Sequence, residues 1–180
     1  LWEMHEGVHL YSMAAMYAAY EAMLEIEKVL EQKEHVQEMK LIAEKLKEYC
    51  KKSLYNEEEK TLKRSNKDNI CDISMLGTVT PFNMFKPNEK EVINTVEKMN
   101  MTLRTYTGGY IRFENDNYMG GNNPWPVATL WMALYNLKIG KAKEAMEQIE
   151  FVIKTATKHG FLAEQINNET MQANWVIGLG

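Results

Sequence analysis

PWPVATLWMALYNL, residues 124–137, is apolar on nearly every side, so a helix formed by it has no polar face to turn toward water. The stretch AKEAMEQIEFVIKTA that follows, residues 142–156, differs because charged residues fill one side of it. Its apolar residues recur at helical spacing, as Ala145, Met146, Ile149, Val152, Ile153 and Ala156. Together the two stretches predict a helical hairpin with one buried member and one surface member.

The same alternation occurs earlier in the chain. Residues 8–24 are nearly all apolar or small, which predicts a helix buried all round, whereas residues 36–50 carry apolar side chains on one side only. A shorter pair follows, residues 70–76 and then 89–101, and the polar stretch 55–68 before it is predicted to form a hairpin. We therefore expect three pairs of inner and outer helices.

Helical hairpins that bury one member completely build either a solenoid or a closed α/α toroid. The sequence has no fixed self-similarity at about 34 or 40 residues, as a solenoid requires. We therefore expect an all-α fold that is part of an α/α toroid with alternating inner and outer helices. A fourth inner helix is predicted to begin at Trp175.

Composition excludes several classes of protein. The net charge is -4 and the 21 Lys and Arg residues are scattered, so no basic stripe for nucleic acid is present. Cys50 and Cys71 lack a CxxC spacing, which favours reduced, buried thiols and a cytoplasmic location. No uncharged apolar run reaches the roughly 18 residues of a membrane span.

Three long connections, residues 1–7, 102–123 and 160–174, each lead into an inner helix. Since inner helices of a toroid run in the same direction, these loops are expected to meet at one end of it. Their chemically notable residues are Trp2, Glu3, Arg112, Glu114, Asp116, Tyr118, Trp125, Glu164 and Gln165. Two carboxyl groups suit hydrolysis of a glycosidic bond, in which one protonates the departing oxygen and the other deprotonates water.

Three motifs in these loops resemble those of glycoside hydrolase family 15, the glucoamylase and glucodextranase family. Leu1-Trp2-Glu3 resembles its LWE motif. The run from Gly108 to Tyr118, continued by Gly121-Asn122-Asn123-Pro124-Trp125, resembles its GG-x-x-R-[YF]-E-x-D-x-Y…G-N-P-W block. Gly160-Phe161-Leu162-Ala163-Glu164-Gln165 is similar to its G-x-L-x-E-Q motif. The order and spacing of all three agree with the family.

The resemblance implies an (α/α)6 toroid and an inverting exo-acting α-glucosidase that releases β-glucose from the non-reducing end of an α-glucan or oligosaccharide. It implies Glu3 as the general acid and Glu164 as the general base, with no cofactor and no metal. Inverting enzymes hold these carboxyl groups about 6.5 to 9.5 Å apart to admit the water. The residues expected to bind substrate are Trp2, Arg112, Tyr118, Trp125 and Gln165. For Trp125, core packing and sugar stacking remain open alternatives.

The resemblance further implies that residues 1–180 form the C-terminal half of the catalytic domain. The expected partner is then the N-terminal half of the same barrel, with its sugar-holding arginine and aspartate, or a second copy if the segment is isolated. Without that half we expect little or no activity. Two departures from the family pattern are Met4, where many members have a second glutamate, and one extra asparagine at Asn122 or Asn123.

Two other functions remain open at this stage. His5-Glu6-Gly7-Val8-His9 fits H-E-x-x-H, the signature of a zinc peptidase in which two histidines one helical turn apart bind the metal. Gly7 weakens this interpretation, because glycine costs a helix about 1 kcal/mol relative to alanine. The second alternative is a non-catalytic relative that binds carbohydrate without hydrolysing it.

Overall fold

The computed structural model describes Trp2 and residues 4–174, and Leu1, Glu3 and residues 175–180 lie outside the described part. Within it lie the helices α1 (Leu10–Val29), α2 (Val36–Ser53), α3 (Lys90–Thr102), α4 (Pro126–Lys138) and α5 (Ala142–Lys154). A 3-10 helix spans Ile73–Thr78. Two short antiparallel pairs complete the structure, β1 (Tyr55–Asn56) with β2 (Thr61–Leu62) and β3 (Gln165–Ile166) with β4 (Ala173–Asn174). The predicted all-α class is confirmed, and the predicted fourth inner helix at Trp175 lies outside the described residues.

Two helical hairpins form the body of the fold. Helix α1 packs against α2 and helix α4 packs against α5, while the 3-10 helix packs against both α1 and α4 and so joins the hairpins. Gly140, with φ of 79°, takes the left-handed conformation that ends α4 and allows the turn into α5. The core between the hairpins includes Leu10, Ile73, Leu76 and Met132, all of which are buried.

The outer helix α2 agrees with its prediction. Its buried residues, Met39, Ala43, Leu46 and Cys50, recur at intervals of three and four and form one stripe. The first turn carries Glu38 and the last turn carries Lys51 and Lys52, charges that stabilise the two ends of the helix dipole. This helix therefore lies on the surface with one apolar face turned inward.

The prediction that the first and third of the long apolar stretches form helices buried all round is wrong for α1 and α4 among the described residues. On α1 only Leu10 and Ala14 are buried, and the side chain of Met16 is 49% exposed. Leu137 on α4 is 50% exposed. The reason is geometric, because α1 has α2 and the 3-10 helix as its main packing partners among the described residues. Its other faces have no comparable neighbour there.

Two further predictions are corrected in detail. The inner helix expected at 70–76 is the 3-10 helix Ile73–Thr78, whose six residues are all buried. The buried face of α5 consists of Ala145, Gln148, Phe151 and Val152, whereas Ile153 from the predicted stripe is 66% exposed. Gln148 can lie in this interface because its side-chain oxygen accepts a hydrogen bond from Asn136 Nδ2 at 3.1 Å.

Smaller features agree with the sequence. The pair β1–β2 confirms the hairpin predicted within 55–68. Cys50 and Cys71 are free and buried, and burial raises the pKa of each thiol to about 12, so both are unreactive near neutrality. None of the helices in the described ranges combines the length and hydropathy that crossing a bilayer requires.

Candidate active site

Arg112 lies at the centre of the cluster of loop residues. Its guanidinium donates two hydrogen bonds to the carboxylate of Asp116, each 2.8 Å long, from Nε and from Nη2. Four aromatic rings surround the guanidinium carbon, with ring centres at 4.4 Å for Trp125, 4.8 Å for Tyr118, 5.0 Å for Trp2 and 5.1 Å for Phe113. The cation is only 4% exposed, so ion pairing and cation–π contacts replace its hydration.

The backbone fixes Arg112 in this place. Its carbonyl oxygen accepts a hydrogen bond from Ile73 N at 2.8 Å, and Asp72 and Phe113 form an antiparallel bridge beside it. Asp116 is held in turn, since its Oδ1 accepts a hydrogen bond from Tyr118 N at 2.9 Å. The loop from 112 to 118 is thus anchored to the start of the 3-10 helix, and its ion pair is built into that anchor.

The first loop reaches the same place. The ring of Trp2 lies 6.1 Å from that of Trp125 and 5.8 Å from that of Trp131, measured between centroids. Met4 follows it closely, with its sulfur 3.3 Å from Nη2 of Arg112. Glu3, and with it the predicted separation of the two carboxyl groups, lies outside the described residues. The described residues on either side of it, Trp2 and Met4, both contact Arg112.

The third loop brings Glu164 to this cluster. One carboxylate oxygen of Glu164, Oε1, lies 3.5 Å from the hydroxyl of Tyr118, whose ring faces Arg112. The other oxygen, Oε2, is buried and has no hydrogen-bond partner among the described residues. A buried carboxylate oxygen without a donor is uncommon in folded proteins and calls for an explanation such as a bound water or a ligand.

Gln165, the next residue, is fully buried. Its Nε2 donates to the carbonyl of Met119 at 2.8 Å, and its Oε1 accepts from Asn123 Nδ2 at 3.2 Å. Gly120 makes room for it, because a Cβ there would lie 2.0 Å from Gln165 Oε1. In the described part of the chain, these contacts hold Gln165 against the loop of residues 119–123. The substrate contact predicted for Gln165 stays a prediction.

Trp125 occupies an unexpected position. The sequence predicted a helix over residues 124–137, which would include Trp125. In the structure α4 begins at Pro126, and Trp125 is its N-cap. Its ring is buried between Trp2, Tyr118 and the Arg112 guanidinium. Its Nε1 is buried without a hydrogen-bond partner among the described residues. Both core packing and a sugar contact therefore have support at this residue.

Glu114 behaves as a structural residue. Its Oε2 accepts a hydrogen bond from Cys71 N at 2.8 Å and lies 4.0 Å from Lys98 Nζ. These contacts point toward α3 and hold the loop that carries Arg112. No catalytic role is expected for this carboxylate.

The zinc interpretation requires His5 and His9 on one helix. Residues 5–9 form no helix, because α1 begins at Leu10, and the ring nitrogen Nε2 of His9 lies 2.9 Å from the carbonyl oxygen of His5. Within residues 4–174 and Trp2, no three His, Cys, Asp or Glu side chains are grouped so that they could hold a metal ion. The helical geometry that the motif needs is missing.

Sequence reasoning missed a second layer behind Trp2. A cavity of about 90 Å³ lies there, lined by Trp2, Met4, His5, His9, Tyr11, Arg64, Asp72 and Ser74. The carboxylate of Asp72 is buried beside it, and burial raises the pKa of this group despite hydrogen bonds to it from Ser74 and Trp2. Asp72 lies inside the segment 70–76 that was predicted as an inner helix, and the sequence pattern gave no signal of its contact with Trp2, seventy residues away.

Comparison with solved structures agrees with the fold. The fold matches a bacterial glucoamylase solved with acarbose over 96% of this chain and 31% of that chain, with a TM-score of 0.84 and 18% identity. A wild-type glycosidase matches over 92% of this chain and 43% of that chain, with a TM-score of 0.82 and 19% identity. The fold is therefore that of the glucoamylase-type (α/α)6 barrels, as the sequence predicted.

The family follows from the sequence itself. The model of "Glycosyl hydrolases family 15" matches residues 1–159, and the chain belongs to this family. An uncharacterized glycosyl hydrolase of Methanocaldococcus jannaschii is 33% identical over 143 residues, which are 78% of this chain and 23% of that protein. Trehalase 2 of Sulfolobus acidocaldarius is 28% identical over 99 residues, which are 54% of this chain and 17% of that protein. The chain thus spans less than a quarter of these relatives.

Proposed function

We propose that residues 1–180 are the C-terminal half of the catalytic domain of an inverting, exo-acting α-glucosidase. Membership of the family supports hydrolysis of a glycoside. The share of each solved relative that the chain covers, 43% and 31%, supports a second half of the barrel elsewhere in the full-length enzyme. The exposed faces of α1 and α4 are then the surfaces that this other half covers.

The observation that carries the proposal is the environment of Glu164. Its Oε1 is oriented by the Tyr118 hydroxyl, and its buried Oε2 has no protein donor among the described residues. A carboxylate in this state can accept a proton from a water molecule held at Oε2, which is the role of the base in an inverting glycosidase. Glu3, which follows Trp2 in the sequence, is the proposed acid that protonates the glycosidic oxygen.

The surrounding residues provide the sugar site in this proposal. The rings of Trp2 and Tyr118 offer flat apolar surface for the C–H face of a glucose unit, and Trp125, whose ring is buried, offers its unpartnered Nε1. Arg112 offers hydrogen-bond donors for its hydroxyl groups, which would otherwise lose their hydrogen bonds on burial. Asp116 neutralises the cation, so the site can bind an uncharged sugar without a buried net charge.

The stereochemistry of the product tests this proposal. Full-length enzyme incubated with p-nitrophenyl α-glucoside, whose leaving group is not a second glucose, should release β-glucose first, detected as the β-anomeric proton signal in NMR spectra recorded within seconds of mixing. A single displacement by water inverts the anomeric carbon, so the β signal must precede mutarotation to the α form. Initial release of α-glucose contradicts the proposal, and glucose binding without any turnover supports the non-catalytic alternative instead.

The linkage that is cut is a separate question. Relatives named trehalases make trehalose a substrate to test beside maltose and isomaltose. All three present a non-reducing α-glucose unit, which the cluster around Arg112 would hold alike. The ratio of kcat/KM among the three sugars, measured on one preparation of the full-length enzyme, decides the substrate class.

A variant of Tyr118 separates orientation of the base from sugar stacking. Tyr118→Phe removes the hydroxyl that lies 3.5 Å from Glu164 Oε1 and keeps the ring over Arg112. We expect kcat to fall about three- to tenfold with little change in KM, since a long and partly exposed hydrogen bond contributes about 1 kcal/mol. Steady-state kinetics measure both constants. A rise in KM at constant kcat would instead assign the hydroxyl to substrate binding.

A further inference from the structure

Asp72 is a buried carboxylate that the proposed reaction does not use. It is 1% exposed and lies where the chain enters the 3-10 helix, bridged to Phe113 beside Arg112. Burying a carboxylate is costly, and burial raises the pKa of this one. A residue of this kind needs hydrogen-bond donors around it, and the identity of those donors indicates its purpose.

Two hydrogen-bond donors, Ser74 N and Trp2 Nε1, and one cation, Arg64, surround the carboxylate. Ser74 N donates to Oδ1 at 2.8 Å, which is a helix cap and occupies one oxygen. Trp2 Nε1 lies 3.1 Å from each of the two oxygens and donates across seventy positions of sequence. Arg64 Nη1 lies 3.7 Å from Oδ2, and Arg64 itself is paired with Asp68. Capping alone explains the first contact and leaves the bond from Trp2 unexplained.

The bond to Trp2 fixes the ring that faces the sugar site. A hydrogen bond to the indole nitrogen sets both the tilt of the ring and the position of the backbone that carries it. That ring lies against the Arg112 guanidinium and the ring of Trp125. Trp2 also immediately precedes Glu3. The orientation of the first loop relative to Arg112 therefore depends on Asp72.

We infer that Asp72 is a positioning residue, which holds Trp2 and thereby aligns the loop of the general acid with the sugar site. This inference rests on the proposed function. Misalignment of a catalytic loop by about 1 Å can lower turnover by about a hundredfold without abolishing substrate binding. The expected signature is thus a loss in kcat with little change in KM.

A double-mutant cycle on the full-length enzyme tests the inference. Asp72→Ser keeps a cap oxygen for Ser74 N but is too short to reach Trp2 Nε1. Trp2→Phe removes the same hydrogen bond from the other side. Each variant should lower kcat on maltose about tenfold with KM changed less than threefold, and the double variant should also lose about tenfold rather than a hundredfold.

Controls separate positioning from stability. Asp68→Asn changes the other carboxylate that pairs with Arg64. Because Asp68 has no contact with Trp2 in the described structure, this variant should keep kcat within twofold of wild type. Asp72→Asn removes the charge but keeps an oxygen within reach of Trp2 Nε1, and should therefore lose less kcat than Asp72→Ser. Thermal unfolding of every variant shows whether stability and kcat change together.

The outcomes are distinct. Multiplicative losses in the double variant, or a wild-type kcat in Trp2→Phe, overturn the inference, and the second result does so even if no Asp72 variant folds. Glu3→Gln is measured in parallel. If Glu3→Gln keeps full activity while the cycle shows coupling, the assignment of Glu3 as the acid is wrong, and only the part of the inference in which Asp72 positions Trp2 stands. If Glu3→Gln is inactive and the losses of kcat in the two single variants multiply in the double variant, the inference alone is overturned.

Discussion

Replacement of Glu164 by glutamine is expected to lower kcat of the full-length enzyme about a thousandfold on its best α-glucoside. The amide has nearly the shape of the carboxylate and can still accept a hydrogen bond from Tyr118 through its oxygen. It cannot accept a proton from water at the position of Oε2, so the attacking water loses its base. Substrate binding should change little, and KM should stay within about threefold.

Steady-state kinetics and an equilibrium titration with glucose measure the two effects separately. Glu114→Gln is the matched control, because its carboxylate lies in a neighbouring loop but bonds to Cys71 N, and it should keep kcat within twofold. Glu3→Gln should show a loss as large as that of Glu164→Gln on substrates with a poor leaving group. More than a tenth of wild-type kcat in Glu164→Gln is incompatible with the proposed base.

The hairpin architecture could be predicted because it depends on local information. Helices α2 and α5 carry apolar residues on one side and charges on the other, and periodicity shows this directly. The sequence predicted full burial of α1, but in the described part only Leu10 and Ala14 on this helix are buried. A helix that is apolar all round predicts neighbours on every side, whereas α2 and the 3-10 helix are the main packing partners of α1 in the described part.

The site could be predicted as far as its loops. Arg112, Tyr118, Trp125 and Trp2 contact one another as expected, and Glu164 reaches Tyr118. The layer behind them could not be predicted, since it depends on side-chain contacts between distant parts of the chain. Asp72, which the sequence placed inside the predicted helix 70–76, is the N-cap of the 3-10 helix in the structure. Its second bond, to Trp2, exists only once the fold brings the two segments together.

The second large effect is expected at Asp116, the partner of Arg112. Asp116→Ala should destabilise the folded protein by about 3 kcal/mol, because it leaves a guanidinium buried without its counter-ion. The four aromatic rings around Arg112 offset part of this cost through cation–π attraction. Urea denaturation measures the free energy of unfolding. As a control, Glu150→Ala breaks the exposed pair with Lys154 and should cost less than about 0.5 kcal/mol.

The double variant Arg112→Met with Asp116→Ala then separates the structural role of the cation from its role in binding sugar. Removing both charges leaves no unpaired ion, so unfolding stability should recover by at least about 1 kcal/mol relative to Asp116→Ala. Activity should not recover, because methionine provides no donor for sugar hydroxyls, and kcat/KM should stay about a hundredfold below wild type. If the double variant regains both stability and turnover, Arg112 serves the fold alone. Recovery of stability without turnover means that the sugar depends on the guanidinium itself.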